Sequence, residues 1–506
     1  EARVWVSILA QPLKRSRTLR AGMDEKKCKH IEVKEHETMK RRDFLHGMTG
    51  AAIAAVLPRF SFAALESRTE KPPNIILMMA DDMGWGDPGY MGNKLIRTPH
   101  LDAMAAAGLR FTRFYAAAPV CSPTRGSCLT GRHPYRYGIF SANVGHMPPE
   151  EVTLAELLKS RGYTTGHFGK WHLGTLTRTE KDSNRGGPRG AKHYSTPWDN
   201  GFDVCFSTEA KVPTRNPMRK PGSDAPYGTA YWKTGGGKIT ENLEGDDSRV
   251  IMDRVVPFIR DAVKRDRPFF TVIWFHTPHL PVVAGSKYLR MYSDLEEKQR
   301  HYFGCITAMD SQIGRLRKEL RDSGVAEDTM VWFCSDNGPE GKAGRAPGSA
   351  GPLRGRKRSL FEGGVRVPGL LEWPAKIKHA SVTDLPVCTS DYLPTALDVL
   401  GIDMPDDRPI DGVSLSLLAG RMTERPRPIA FESGRQLALI HNRYKLISFD
   451  SGKTWMLFDL VADRSEKSDI ADEHADIVQR MHATLKAWRK SCKDSLAGKD
   501  YRITSG

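Results

Sequence analysis

The chain has 506 residues, 39% hydrophobic and 27% charged, with 46 Gly and 32 Pro spread along it and a formal net charge of +16. That length buries a sizeable core and excludes a small disulfide- or metal-stapled scaffold, and the composition excludes collagen-like, disordered and multi-spanning classes. The positive balance points to anionic partners, but it is diffuse, without a basic stripe interleaved with aromatics or a helix-turn-helix pattern, which argues against nucleic acid.

The N-terminal segment reads as an address. Met39-Lys40-Arg41-Arg42-Asp43-Phe44-Leu45 leads into a weakly apolar stretch, 47–57, and then into Ser61-Phe62-Ala63-Ala64. The pattern resembles a twin-arginine signal peptide over 39–63, with a basic amphipathic helix as the alternative. On that reading residues 1–38 are an upstream extension from a misplaced start, and Met39 or Met23 is the true one. The mature chain then begins near Ala64 and is periplasmic or secreted. No apolar run reaches the roughly 18 to 20 residues of a membrane span. Eight cysteines show no CxxC pair and no zinc-ligand spacing. Export of a chain folded in the reducing cytoplasm predicts few or no disulfides, with most thiols acting as small buried hydrophobes and Cys121 as the exception.

Further along, 75–79 predicts a buried strand and 101–107 a helix. Thr153-Leu154-Ala155-Glu156 has the spacing of a capping box and opens a helix toward Lys159 that Gly162 ends. The stretch 175–237, rich in Gly, Pro, Lys and Arg, predicts long loops over one face of the sheet, where substrate contacts usually lie. Residues 269–275 and 330–334 predict further strands, rich in Phe, Val, Ile and Trp. This alternation of apolar runs and helical patterns makes 64–425 an α/β domain on a largely parallel sheet. After Pro426, short strands at 436–441, 444–449 and 455–460 and a helix over 472–490 predict a small antiparallel sheet with a terminal helix, a C-terminal subdomain spanning 426–506.

Three of these strands run out into polar residues: Asp81 and Asp82 after the first, His279 after 269–275, and Asp336 with Asn337 after 330–334. Ligands of an open α/β sheet bind outside the carboxyl ends of its strands, so these groups converge on one rim. Asp81, Asp82, Asp336 and Asn337 offer only oxygen ligands, which suits Ca²⁺ or Mg²⁺ rather than zinc.

Cys121 stands in Pro119-Val120-Cys121-Ser122-Pro123-Thr124-Arg125, followed by Leu129-Thr130-Gly131-Arg132. By itself it could be a buried thiol or an ordinary thiol nucleophile. Cys-x-Pro-x-Arg followed by Leu-Thr-Gly resembles the activation motif of the type I sulfatases. Gly162-Tyr163-Thr164-Thr165 with Gly169-Lys170-Trp171-His172-Leu173-Gly174 resembles that family's second signature, and His279-Leu280-Pro281 its His-x-Pro. Lys357, five residues before Glu362-Gly363-Gly364, resembles its sulfate-binding lysine. The matches run in order from Pro73 to about Asp469, including Leu457-Phe458-Asp459-Leu460 with Asp463 and Glu466. Through Asp82-Met83-Gly84-Trp85-Gly86-Asp87 the chain is most similar to the arylsulfatase A and N-acetylgalactosamine-6-sulfatase group. Cys128 and Phe168 depart from the pattern, both at apolar positions.

The resemblance implies an alkaline-phosphatase-like fold, with a large mixed, mostly parallel sheet flanked by helices, and hydrolysis of sulfate monoesters on sulfated carbohydrates or aryl sulfates. It implies that a separate formylglycine-generating enzyme oxidises Cys121 to Cα-formylglycine, whose hydrate attacks sulfur. It implies Ca²⁺, with Mg²⁺ as the alternative, held by Asp81, Asp82, Asp336, Asn337 and residue 121. Arg125, Lys170 and Lys357 neutralise charge, and Lys170, His279 and Lys357 meet the substrate. His279 protonates the leaving alcohol, and His172 takes the proton whose removal frees sulfate. His133, His167 and His276 have no assigned role. Two other functions are compatible with these residues. One is a phosphomonoester or phosphonate monoester hydrolase of the same superfamily. The other is a non-catalytic glycan-binding relative, which needs a lost nucleophile or metal ligand, and none is missing.

Overall fold

The computed structural model describes residues 71–415 and 423–501. The address, the upstream extension and Cys28 lie outside the described residues. Asn74–Ala80 (β1) is a charge-free run, buried along its whole length. Its side chains alternate between two cores, Ile75, Leu77 and Met79 on one face and Ile76, Met78 and Ala80 on the other, as a strand covered on both sides requires. Around it lie Leu109–Tyr115 (β2), Thr164–Lys170 (β3), Val204–Thr208 (β4), Tyr231–Lys233 (β5), Lys238–Ile239 (β6), Phe269–Trp274 (β7), Thr329–Ser335 (β8), Arg366–Glu372 (β9), Ser381–Thr383 (β10) and Val387–Cys388 (β11). The order across the sheet is β10-β2-β9-β8-β1-β7-β3-β4-β5-β6, with β11 also paired to β2. Among the described pairs of this sheet, only those made by β9 and β5 are antiparallel.

This order fixes the site. β8, β1, β7 and β3 are neighbours and parallel, so their carboxyl ends share one rim. β2 runs in the same sense and β9 against it, so the end of β2 and the start of β9 open onto that rim as well. Helices Asp247–Lys264 and Glu297–Asp322 cover one face through Val250, Ile259, Met309 and Ile313. Helices Cys121–Thr130, Leu154–Ser160 and Tyr392–Leu400 cover the other through Leu129, Leu158 and Leu393. Among the described residues, no helix is long and apolar enough to cross a membrane.

Two sequence expectations change in the structure. The stretch 175–237 is not all loop, because β4 and β5 lie within it and extend the sheet at one edge. Those strands have five and three residues, too few for periodicity to stand out in Gly- and Pro-rich surroundings. The helix expected over 101–107 is Pro99–Ala105. Pro99 takes the first helical position, where its missing N–H costs nothing, and β2 follows too soon for further turns. The capping box forms as expected: Glu156 N–H donates to Thr153 Oγ1 at 3.2 Å and Thr153 N–H to Glu156 Oε2 at 2.8 Å. The seven described cysteines are free and buried. Phe168 fills space against Phe258, with ring centroids 5.5 Å apart.

The C-terminal sheet has four strands rather than three: Ile429–Ser433 (β12), Gln436–His441 (β13), Tyr444–Ser448 (β14) and Met456–Asp459 (β15), all antiparallel. Helix Ala475–Leu496 closes one face of it through Met481 and Leu485. The other face packs Phe431, Ile440 and Phe458 with Tyr115, Leu360 and Val365 of the main body. Between the two lies Lys445, fully buried, with Nζ 2.9 Å from Glu362 Oε1 and 2.9 Å from Glu466 Oε1. Tyr115 Oη donates to Glu362 Oε2 at 2.9 Å, and Glu362 N–H to Glu466 Oε2 at 2.6 Å. Burial and the neighbouring Glu362 push the Glu466 carboxyl up to about 7. Burial acts the same way on Glu362, but Lys445 and Arg366 outweigh it and hold that carboxyl below its ordinary value.

Lys445→Met removes the cation that joins two buried carboxyls and is expected to cost ~3–5 kcal/mol. Glu362 keeps Arg366 at 3.3 Å, while Glu466 loses its Lys445 partner and takes a raised folded-state pKa. The deficit should therefore be full at neutral pH and shrink toward about pH 4, where the unfolded chain also protonates. Thermal unfolding across that range checks it, and an unchanged melting temperature at pH 7 refutes it.

Candidate active site

Asp81 and Asp82 are the first residues beyond β1. Ala80 is registered with Ser335 of β8, so Asp81 and Asp336 leave adjacent strands side by side. Asp81 N–H donates to Thr277 O at 2.9 Å and Asp336 N–H to Ala80 O at 3.1 Å. Asp82 adopts φ +68°, a left-handed conformation rare outside glycine and concentrated at functional turns. There its N–H donates to Asp336 Oδ1 at 3.0 Å. Asn337 Nδ2 donates to Asp82 Oδ1 at 2.7 Å.

Three cations from three elements answer these acids. Lys170, the last residue of β3, donates through Nζ to Asp81 Oδ2 at 2.6 Å. Lys357, before β9, reaches both Asp82 oxygens at 2.6 and 2.8 Å. Arg125, one turn into the helix that Cys121 opens, donates through Nη2 to Asp336 Oδ2 at 2.7 Å and lies 3.5 Å from Asp81 Oδ1. Its guanidinium also sits over the Trp274 ring at 5.2 Å. Burial pushes the Asp336 carboxyl up to about 7, helped by Asp81 beside it. At Asp81 burial acts in the same direction, but Lys170, His279, Arg125 and Lys357 together hold the carboxyl well below its ordinary value. Lys357 stays charged, its pKa raised because Cys121 and the three aspartates outweigh its burial.

Asp81, Asp82, Cys121 and His279 bring ligand atoms within 4.8 Å of one another. Asp81 Oδ1 and Asn337 Oδ1 are buried and accept no hydrogen bond. Unsatisfied oxygens in a buried acidic pocket are what a hard divalent cation satisfies, so these residues fit Ca²⁺ or Mg²⁺. Asp336 stands beside that group, its oxygens taking hydrogen bonds from Arg125 and the Asp82 N–H.

Above the acids opens a cleft of about 500 Å³, with Cys121, Lys170, His172, His279 and Lys357 in its lining. Burial pushes the Cys121 thiol up to about 11. His279 is half-buried, with Nδ1 2.7 Å from Leu280 O and Nε2 3.6 Å from Asp82 Oδ2. Burial lowers its pKa to about 4, against the pull of Asp81 and Asp82. His172 is buried, with φ +59°, and its pKa is held well below the ordinary value by burial, Lys170, Arg185 and Arg125.

The structure thus gathers on one rim Asp81, Asp82, Cys121, Arg125, Lys170, His172, His279, Asp336, Asn337 and Lys357. The unassigned histidines serve packing instead. His276 is buried between Asp247 Oδ2 at 2.8 Å and Thr208 Oγ1 at 2.7 Å. His167 bonds Ser207 Oγ at 2.7 Å amid Trp171, Phe202 and Trp274. His133 accepts the Tyr135 N–H at 3.3 Å. The cleft also holds Asn143, Asn184, Lys211 and Arg358, which sequence reasoning missed. They sit on loops with no spacing to mark them, and the single available signal was that Arg358 follows Lys357.

The sulfatase family model matches residues 73–402, and the model for N-sulphoglucosamine sulphohydrolase, C-terminal, matches 355–491. N-acetylgalactosamine-6-sulfatase of Sus scrofa is 34% identical over 383 residues, 70% of this chain and 68% of that protein. Arylsulfatase A of Homo sapiens is 35% identical over 380 residues, 71% of this chain and 70% of that one. The crystal structure of Ps i-CgsB in complex with k-i-k-neocarrahexaose matches with a TM-score of 0.73 at 25% identity, over 86% of this chain and 97% of that one. The chain belongs to the sulfatase family, with an alkaline-phosphatase-like fold, and is a sulfuric ester hydrolase.

Adding millimolar Ca²⁺ to chelator-treated protein should raise its melting temperature, since a ligand held only by the folded state stabilises by mass action, about 2.7 kcal/mol at a hundredfold excess over Kd. Asp81→Asn should abolish the rise. A melting temperature indifferent to both Ca²⁺ and Mg²⁺ would refute cation binding at this rim.

Proposed function

We propose that the chain hydrolyses sulfate monoesters of sulfated carbohydrates, or aryl sulfates, with residue 121 as nucleophile after a formylglycine-generating enzyme has acted on Cys121. The observation that carries this reading is the placement of Cys121, buried on the cleft floor beside Asp81 and Asp82 and ringed by Lys170 and Lys357. A thiol pushed up to about 11 is a poor thiolate at neutral pH, which disfavours an ordinary thiol nucleophile. Formylglycine would supply a hydrated aldehyde oxygen as nucleophile. A divalent cation, Ca²⁺ ahead of Mg²⁺, on Asp81, Asp82, Asp336, Asn337 and residue 121 would polarise the sulfate.

The chain's own side chains do the remainder. Lys170 and Lys357 offer ammonium groups to the sulfate oxygens, while Arg125 keeps Asp81 and Asp336 in place. His279 donates Nδ1–H to Leu280 O, which leaves Nε2 to carry the proton given to the departing alcohol. Asp81 and Asp82 pull toward the protonated ring, against the burial that holds its pKa at about 4. His172 accepts the proton whose removal frees sulfate. Lys211, exposed in the cleft and ion-paired to nothing among the described residues, extends the positive field to the mouth, where Arg358 is paired with Glu340, which suits a substrate bearing more than one anionic group. We treat 64–425 as the catalytic domain and 426–506 as its subdomain, and 39–63 as an export signal delivering a periplasmic or secreted enzyme.

In active enzyme the tryptic peptide holding residue 121 should have lost one sulfur and two hydrogens and gained one oxygen, and aryl sulfate should turn over in preference to aryl phosphate or phosphonate esters. An intact thiol in fully active protein, or a preference for phosphoesters, overturns the proposal. His279→Ala should lose roughly 10²-fold or more on a sugar sulfate and far less on nitrophenyl sulfate, whose leaving group needs little proton assistance. Equal losses on both substrates would remove His279 from the acid role.

A further inference from the structure

We propose that Asn143 is a positioning residue for His172: its side-chain oxygen fixes the imidazole with the proton on Nε2 and leaves Nδ1 as the free lone pair. The inference rests on the reading above that His172 accepts a proton. Asn143 Oδ1 lies 2.8 Å from His172 Nε2 and takes a second hydrogen bond from Asn184 Nδ2 at 2.9 Å. An amide oxygen only accepts, so Nε2 must donate. A neutral imidazole carries one such proton, so Nδ1 is the acceptor, and it is buried without a partner.

Ring and oxygen hang from one frame. His172 N–H donates to Glu209 O at 2.8 Å. The Glu209 carboxylate holds Arg185 Nε at 3.0 Å, and Arg185 Nη1 donates to Gly145 O at 2.7 Å. Met147 N–H closes the same loop onto Leu173 O at 2.7 Å. Asn143 itself sits at φ +62°, a left-handed conformation that asparagine tolerates better than other non-glycine residues. Among the described residues, this is the hydrogen bond that distinguishes the two nitrogens of the imidazole. Without this contact the ring would share its proton between them and lose the orientation proton transfer needs.

The backbone conformation suggests the probe. Asn143→Gly removes the oxygen while relaxing the left-handed strain, so the fold should persist. With nitrophenyl sulfate and enzyme from an active preparation, kcat should fall roughly 10- to 100-fold and KM should fall with it, because the affected proton moves after the alcohol has left. Asn143→Asp, which keeps an acceptor and tolerates the same φ, should stay within about fivefold of wild type. In a His172→Ala background Asn143→Gly should add nothing, since the two act as a unit. Wild-type kcat for Asn143→Gly, or losses that multiply in the double variant, overturns the proposal while leaving the His172 role intact. Full activity of His172→Ala instead overturns the role on which it rests. Should the glycine variant not fold, ¹⁵N-histidine NMR of the wild-type enzyme decides, with His172 assigned by its absence in His172→Ala. A proton on Nε2 supports the proposal, and one on Nδ1 ends it.

Discussion

Asp81, Asp82 and Asp336 are buried, and there a carboxylate costs several kcal/mol unless cations or hydrogen bonds answer it. The answer comes from Lys170 at the end of β3, Arg125 on the helix after β2, and Lys357 ahead of β9. No local stretch of chain supplies both sides of this balance. The strand order has to be the one observed, with β8 and β1 adjacent and β3 one strand removed, for three acids to meet three bases. The same balance leaves Asp81 Oδ1 and Asn337 Oδ1 with nothing to accept.

The cluster around Lys445 makes a contrast. There, too, buried carboxyls crowd a cation, but the cluster is sealed between two sheets. Charge buried in this way ties one part of a fold to another. At the rim, charge is equally buried from below but opens into a cleft above, where a substrate's own negative oxygens can join the network. Both clusters are costly to assemble, and only one is accessible.

The sequence carried the catalytic rim well because strand ends are legible. A charge-free run that stops at paired acids marks both a buried strand and its carboxyl end, and the capping box at Thr153 marked a helix start for an equally local reason. Elements whose stability comes from neighbours were less legible. β4 and β5 are short and sit in Gly- and Pro-rich sequence, yet they complete the sheet edge because β3 offers them a template. Asn143 was invisible for the same reason. Its partners, Ser122, His172 and Asn184, come from separate segments, and a lone asparagine in a loop carries no spacing.

β1 lies at the centre of the sheet, yet it is the first of the described strands to leave the ribosome. Its partner β7 begins some 190 residues later and β8 some 250 residues later. Through that interval of synthesis a charge-free, mostly apolar strand has both edges unpaired, in a form that another nascent chain could take up. The acids that follow β1 remain unanswered even longer, because Lys357 is the last of their cations to be made. Assembly of the rim is therefore one of the latest events in the life of the chain, and conditions that slow elongation between residues 80 and 357 should lower the yield of folded enzyme more than they lower the total made.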